Sequence, residues 1–300
     1  MWFKNLQIFK VSKAWGITED ALHSQLSKIQ FSQCASNELV SQGWSSPRGN
    51  DRLVHTVNRQ FLICLTTEKK LLPSSVINQV TKARAAELEE QQGFAPGRKA
   101  MKDLKERVTD ELIPRAFSVK KNTSIWIDPV NGWLVVDSSS PTLADEVVKL
   151  LLKCCDKIPL EGLRVNTSPQ SAMTSWLAGN QAPKGFTIDQ DTDLKSTTED
   201  KATVKFVRHT IEPDDIQRHL AAGKQCTKLA MTWDDRISFV LTDNLVIKKI
   251  KPLDILDENK DKGTNEEERF DADMMLMTAE ISKMIDDIVF ALGGELETTQ

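Results

Sequence analysis

The sequence predicts an α+β fold, with mixed antiparallel sheets and helices and a helical hairpin that projects from them. Three observations carry this. β-rich and helical runs follow one another without the regular βαβ alternation that a parallel sheet needs. Asn131-Gly132 stands between the β-rich runs "TSIWID" and "WLVVDSS", a strong short-range hairpin signal. Residues 73–113 read as two helices whose apolar stripe is narrow and whose other faces are highly charged, so this pair cannot sit inside a core.

The elements follow in order. "WFKNLQIFKV" reads as a strand. "TEDALHSQLSKIQF" reads as a helix, with Thr18 as N-cap, Glu19 and Asp20 against the dipole, and Leu22, Leu26 and Ile29 on one face. "SQGWSSPRGND" is expected as a Gly/Ser/Pro-rich loop, with strands near 53–57 and 60–66 after it. Pro73 opens the first helix of the hairpin, "GFAPG" breaks it, and "RKAMKDLKERVTDELI" resumes until Pro114. The stripe comprises Val76, Val80, Ala83 and Leu88, then Met101, Leu104, Val108 and Leu112. "PTLADEVVKLLLKC" and "SPQSAMTSWLAG" read as helices, and the acidic stretch 189–201 as a surface loop or linker. A strand at 203–208 and a helix at "EPDDIQRHLAAG" come next. Three strands then occupy "CTKLAMTWDDRISFVLTDNLVIKKI", with turns at Asp234-Asp235 and Asp243-Asn244. A long helix over roughly 265–291 ends at Gly293-Gly294.

The 300 residues suffice for a proper core. No run approaches the ~20 apolar residues of a membrane span, and the first residues do not read as a signal peptide. Five cysteines, none at C-x-x-C spacing, point to a reducing cytosol rather than to zinc or disulfides. The net charge of −4 conceals segregation. Residues 254–300 hold 14 Asp/Glu against 4 Lys/Arg, whereas residues 98–121 hold 8 Lys/Arg against 4 and residues 201–228 hold 6 against 3. Charge acts locally because salt screens it beyond ~10 Å.

Catalytic signatures are sparse. "AAGKQCT" lacks the first glycine and the hydroxyl of a phosphate loop, since Arg218 and Gln225 stand there. His23, His55, His209 and His219 are scattered and read as surface or satisfied histidines. Asp234, Asp235 and Asp271 are the carboxylates on which a metal-dependent nuclease would draw, though turn geometry already accounts for the first two, and Asp271 and Asp273, at i and i+2 of a helix, do not converge on one ion. Neither a recognition helix nor an aromatic RNA-binding pair is present, so nucleic-acid contacts would go to phosphate and carry little sequence information.

The blocks "MWFKNLQIFKVS", "LLPSSVI", "LIPRAFS", "IWIDPVNGWLVVD", "GKQCTKLAMTW", "RFDADMMLMTAE" and "ALGGE" run collinearly along essentially the whole chain. In their order and spacing they resemble the recombination-associated protein RdgC family. The resemblance implies a cytoplasmic, nucleoid-associated protein that binds double-stranded DNA without sequence preference, ATP, metal or other cofactor. It implies a ring-shaped homodimer that encircles DNA and restrains the recombinase RecA. The family-wide unit of 1–300 would then divide into an α/β body (1–72 and 122–188), a projecting helical tip that makes a dimer contact (73–121), and a second α/β region (202–300) with an acidic C-terminal helix that is free to face away from DNA. Phe117, with Arg115 beside it, falls on the family's interface phenylalanine in "PRAFS". Arg208, His209 and Lys224 fall on its DNA-binding positions, His209 standing where a glutamine is expected. Arg98, Lys99, Lys102, Lys120, Lys121 and Lys205 join them as DNA-facing charge. "QQGFAPGRKA" interrupts what in relatives is a longer lysine-rich run. Two other functions are open: the metal-dependent nuclease, and a protein-only scaffold that docks through the 73–113 hairpin.

Overall fold

The run "FLICL" is apolar at consecutive positions, as a strand must be when both faces of its sheet are covered. In the computed structural model, which describes residues 2–155, 157–197, 202–208, 212–253 and 265–296, this run lies in β4 (Gln60–Lys70). β4 pairs antiparallel with β5 (Ser118–Asp128) over ten positions. β1 (Gln7–Val11), β2 (Val40–Ser45), β3 (Val54–Val57), β6 (Trp133–Val136) and β7 (Leu160–Gly162) complete a seven-stranded sheet. Its order is β2-β4-β5-β6-β1-β7, and β3 also pairs with β4. Alternation divides β4 and β5 between two cores. Ile63, Leu65, Ile125 and Ile127 pack with α1 (Glu19–Leu26) and α4 (Pro141–Cys154). Leu62 and Trp126 point the other way.

That second core is shared with a five-stranded antiparallel sheet, of order β12-β11-β10-β8-β9. Its strands are β8 (Phe186–Ser196), β9 (Thr203–Phe206), β10 (Lys224–Trp233), β11 (Ile237–Thr242) and β12 (Ile247–Pro252). α5 (Pro169–Ala178), α6 (Pro213–Ala221) and α7 (Glu266–Ala291) contribute buried side chains to it. α2 (Ser74–Gln92) and α3 (Arg98–Leu112) form the helical hairpin, which connects the far end of β4 to the start of β5. The mixed α+β class is therefore observed.

Several elements depart from expectation, each for a physical reason. "SQGWS" is strand rather than loop. Gly43 sits in β2 because the chain at Phe31 crosses it so closely that a Cβ would lie 2.5 Å from the Phe31 backbone nitrogen. Most of 189–201 is β8, with Thr192 and Leu194 inward and the aspartates on the open face; residues 198–201 lie outside the described set. On α2 the buried residues are Thr81 and Ala85, while Val76 and Ala83 are exposed, so the stripe is rotated by about one position. The Asn131-Gly132 hairpin is real, but Asp128 pairs with Trp133 across a four-residue loop. Asp128, 1 % exposed, accepts hydrogen bonds there from the backbone N–H of Val130 and Asn131.

The acidic C-terminal helix is anchored in the core along one face. Met274, Met277, Ile281, Met284, Ile285 and Ile288 run along one stripe of α7 and are buried in the shared core. Three of its carboxylates tie the helix to the rest of the protein, and of these Glu280 is buried. Glu280, 5 % exposed, accepts two 2.9 Å hydrogen bonds from Arg236. Asp287 accepts from the indole of Trp233 at 2.7 Å. Asp271 takes His55 at 2.8 Å and Arg48 at 3.2 Å.

Candidate nucleic-acid interface

Positive charge at a helix N-terminus opposes the helix dipole and costs about 0.3–1 kcal/mol per charge. α3 nonetheless begins with Arg98 and Lys99, followed by Lys102. Its first turn holds no acidic residue, and its N-cap, Gly97, offers no side chain. All three cations are exposed. Lys102 stands 3.8 Å from Glu106, a solvated contact of little energetic weight. Lower in the hairpin, Arg84 forks onto Glu111 and holds that carboxyl below its usual range, with the Arg115 charge adding to the effect.

Beyond α3 the chain turns through Ile113–Arg115 into β5. Phe117 stands there with 85 % of its surface exposed. Its carbonyl accepts the Leu71 N–H at 2.6 Å, which fixes the backbone while the ring contributes nothing to the monomer's core. Leu71 and Val119 beside it are also exposed, as is Val40, which shares Lys69 with Val119 as strand partner. Arg115 is exposed next to this apolar group. Lys120 and Lys121 project to opposite faces of β5. Lys120 lies over the Phe31 ring, 5.4 Å from its centroid. It also stands opposite Glu68, whose carboxyl is held below its usual range first by the Ser118 hydroxyl, then by the Cys34 N–H and the nearby lysines.

The cations of the second sheet divide between its two faces. Lys205 lies opposite Asp193 on the open face and is exposed. Arg208, at φ +51°, donates its backbone N–H to Asp191 on that same face. Lys224 follows Gly223 and shares a face with the buried Cys226, whose backbone N–H donates to Thr174 of α5 at 2.9 Å. Its ammonium lies 3.4 Å from His219 Nδ1, and the His219 ring meets Phe206 edge-on. Lys205 and Lys224 are thus separated by the thickness of a sheet. His209 lies outside the described residues.

Lys228, Lys248 and Lys249 also reach the open face, lining one groove with Lys205. They are absent from the sequence-based set. The lysine doublet of "IKKIK", which breaks strand alternation, was the available signal.

The alternative carboxylate set does not assemble. Asp234 and Asp235 occupy the β10–β11 turn at φ +47° and +51°, Asp234 facing Arg236. Asp271 is held by His55 and Arg48 near β3. Among the described residues no group of three or more His, Cys, Asp or Glu side chains is placed to hold a metal ion. No described helix is long and apolar enough to cross a membrane.

The family described as "Putative exonuclease, RdgC" matches residues 1–295. Among similar proteins, the "Recombination-associated protein RdgC" of Janthinobacterium sp. (strain Marseille) is 60 % identical over 298 residues, covering 99 % of both chains. That of Herminiimonas arsenicoxydans is 61 % identical over 296 residues, covering 98 % of this chain and 99 % of its own. That of Cupriavidus necator is 57 % identical over 297 residues, with the same coverage.

Proposed function

This chain belongs to the RdgC family, and from that premise we propose that it binds double-stranded DNA without sequence preference or ATP, as a homodimeric ring closed around the duplex. By occupying DNA, such a ring restrains RecA-mediated recombination on the nucleoid in the cytoplasm. The observation that carries the reading is where the charges go. In a chain of net charge −4, three carboxylates of α7, Glu280, Asp287 and Asp271, are paired with Arg236, Trp233, His55 and Arg48. The cations of α3 and, on the open sheet face, Lys205 and Lys249 are left exposed. The uncapped positive start of α3 is locally unfavourable, as functional surfaces often are. A C₂ dimer doubles every such cation. Phe117 and Arg115 supply one dimer contact, in which the exposed ring fills a partner pocket. Arg98, Lys99, Lys102, Lys120, Lys121, Lys205, Arg208, His209 and Lys224 supply phosphate contacts.

The test is salt-dependent binding to nicked-circular and linear duplexes of one sequence. Log affinity should fall linearly with log salt, and the protein should stay longer on the circle, which has no end to slide from. Salt-insensitive binding, or one site preferred by orders of magnitude over random DNA, would refute the reading.

A further inference from the structure

β12 reads "IKKIKP", and its side chains do not alternate. Ile247 and Ile250 are both buried, although three positions apart they would point to opposite faces of a regular strand. The discrepancy is absorbed at a bulge. Ser238 pairs with Lys251 and Val240 with Lys248, so two steps on β11 face three on β12. Lys249 adopts φ +54° there, a left-handed conformation that costs a lysine about 1–2 kcal/mol. The result is that the consecutive residues Lys248 and Lys249 line the same groove on the open face of the second sheet. Bulges are used in this way to re-aim side chains at functional sites.

The groove has a volume of about 490 Å³, and Lys205 and Lys228 also line it. A second hollow of about 550 Å³ shares Asp191, Val240 and Lys249 with it, so the depression continues across the sheet. Ala230 and Val240 contribute apolar lining. Three aspartates of β8 line the depression, and each has a partner. Asp189 accepts from the Thr232 hydroxyl at 2.9 Å, Asp191 from the Arg208 N–H at 2.8 Å, and Asp193 from the Lys228 ammonium at 2.6 Å. Among the described residues no carboxylate pairs with Lys205, Lys248 or Lys249, which leaves three cations over a partly apolar floor.

We propose that this groove is a phosphate track, in which Lys205, Lys248 and Lys249 seat the sugar–phosphate backbone of one strand of duplex DNA. The proposal rests on the DNA-binding function above and adds to it a specific face. The track is separate from Lys224, which lies across the sheet, and Arg208 is tied to it through Asp191. Lysines are point charges without a planar fork, suited to phosphates rather than to base edges.

The experiment compares the full-length protein with Lys205→Gln/Lys248→Gln/Lys249→Gln on random-sequence linear duplex, over a salt series. Every lysine that no longer neutralises a phosphate should reduce the slope of log affinity against log salt by about 0.9, hence by about 2–3 for the triple variant. Lys249→Gly separates charge from fold: it should reduce the slope by about 0.9 while the urea midpoint holds or rises, because glycine suits φ +54°. If the triple variant keeps the wild-type slope while Lys224→Gln reduces it, the track is wrong and the DNA reading stands. If wild type shows no salt-dependent retention of duplex, the DNA reading itself fails. A Lys249→Gly midpoint below wild type would overturn the claim that the bulge holds its lysine against a backbone cost.

Discussion

Truncating Phe117 to alanine should dissociate the proposed dimer while leaving each protomer as stable as before. In the monomer the ring is 85 % exposed, and hydrogen bonding at this position runs through the backbone carbonyl to the Leu71 N–H, which alanine retains. The urea midpoint, read dilute enough that wild type and variant are both monomeric, should therefore stay within the ±0.5 kcal/mol usual for surface changes. In the dimer the ring would leave water for an apolar pocket, a transfer of about 1.5–3 kcal/mol. Two-fold symmetry applies the loss twice. The sum of about 3–6 kcal/mol raises the dimer dissociation constant by about 10²–10⁴ at 1.4 kcal/mol per decade. If ring closure uses this contact, residence on nicked-circular DNA falls toward that on linear DNA. Sedimentation equilibrium reads the association, and tryptophan fluorescence under urea reads the fold, the seven tryptophans providing the signal. A monomer midpoint lowered by more than 1 kcal/mol would mean that Phe117 is core. An unchanged dimer constant would mean that the exposed ring serves no closure.

Other outcomes follow from buried groups. Gly43→Ala should cost at least the 1–3 kcal/mol typical of overpacking, because its Cβ meets the Phe31 backbone at 2.5 Å; a neutral effect on the urea midpoint would show that the crossing is loose. Arg236→Met should cost about 2–4 kcal/mol by orphaning Glu280, the nearby Lys283 at 3.7 Å retaining part of the pairing. Arg236→Met/Glu280→Met should recover most of that loss, and a double variant no better than the single would contradict the pairing. Burial pushes the Asp137 carboxyl above its usual range, against the lowering effect of the Asn5 and Lys4 N–H groups. The folded state then keeps a proton that the unfolded chain has already released, so native Asp137 is unfavourable above that window. Asp137→Asn should accordingly gain stability at pH 7, and the gain should vanish as pH falls below about 4; a gain that grows toward acid pH would reverse the sign.

The elements whose signals are local were legible in the sequence. Thr18 caps α1 through its hydroxyl, the 73–113 region is a helical hairpin, and the meander after residue 224 has its turns at the aspartates. Charge segregation was also legible, since it is a matter of counting. What failed depended on which neighbour a residue meets. Gly43 reads as a loop residue until the chain at Phe31 is seen to cross it, and the aspartates of β8 read as linker because the run is acidic and polar until β9 and β10 are seen to pair with it. The acidic helix looked peripheral because a one-dimensional charge count cannot distinguish a carboxylate in water from one pinned by Arg236 or Trp233. The same limit governed the site. The sequence by itself determined the family, the α+β class and the position of the basic segments along the chain. Only the tertiary structure decided that Lys205 and Lys224 stand on opposite faces and that Lys248 and Lys249 join Lys205. The side to which a strand residue points is fixed by pairing register and bulges, and those are set by contacts between residues distant in the chain.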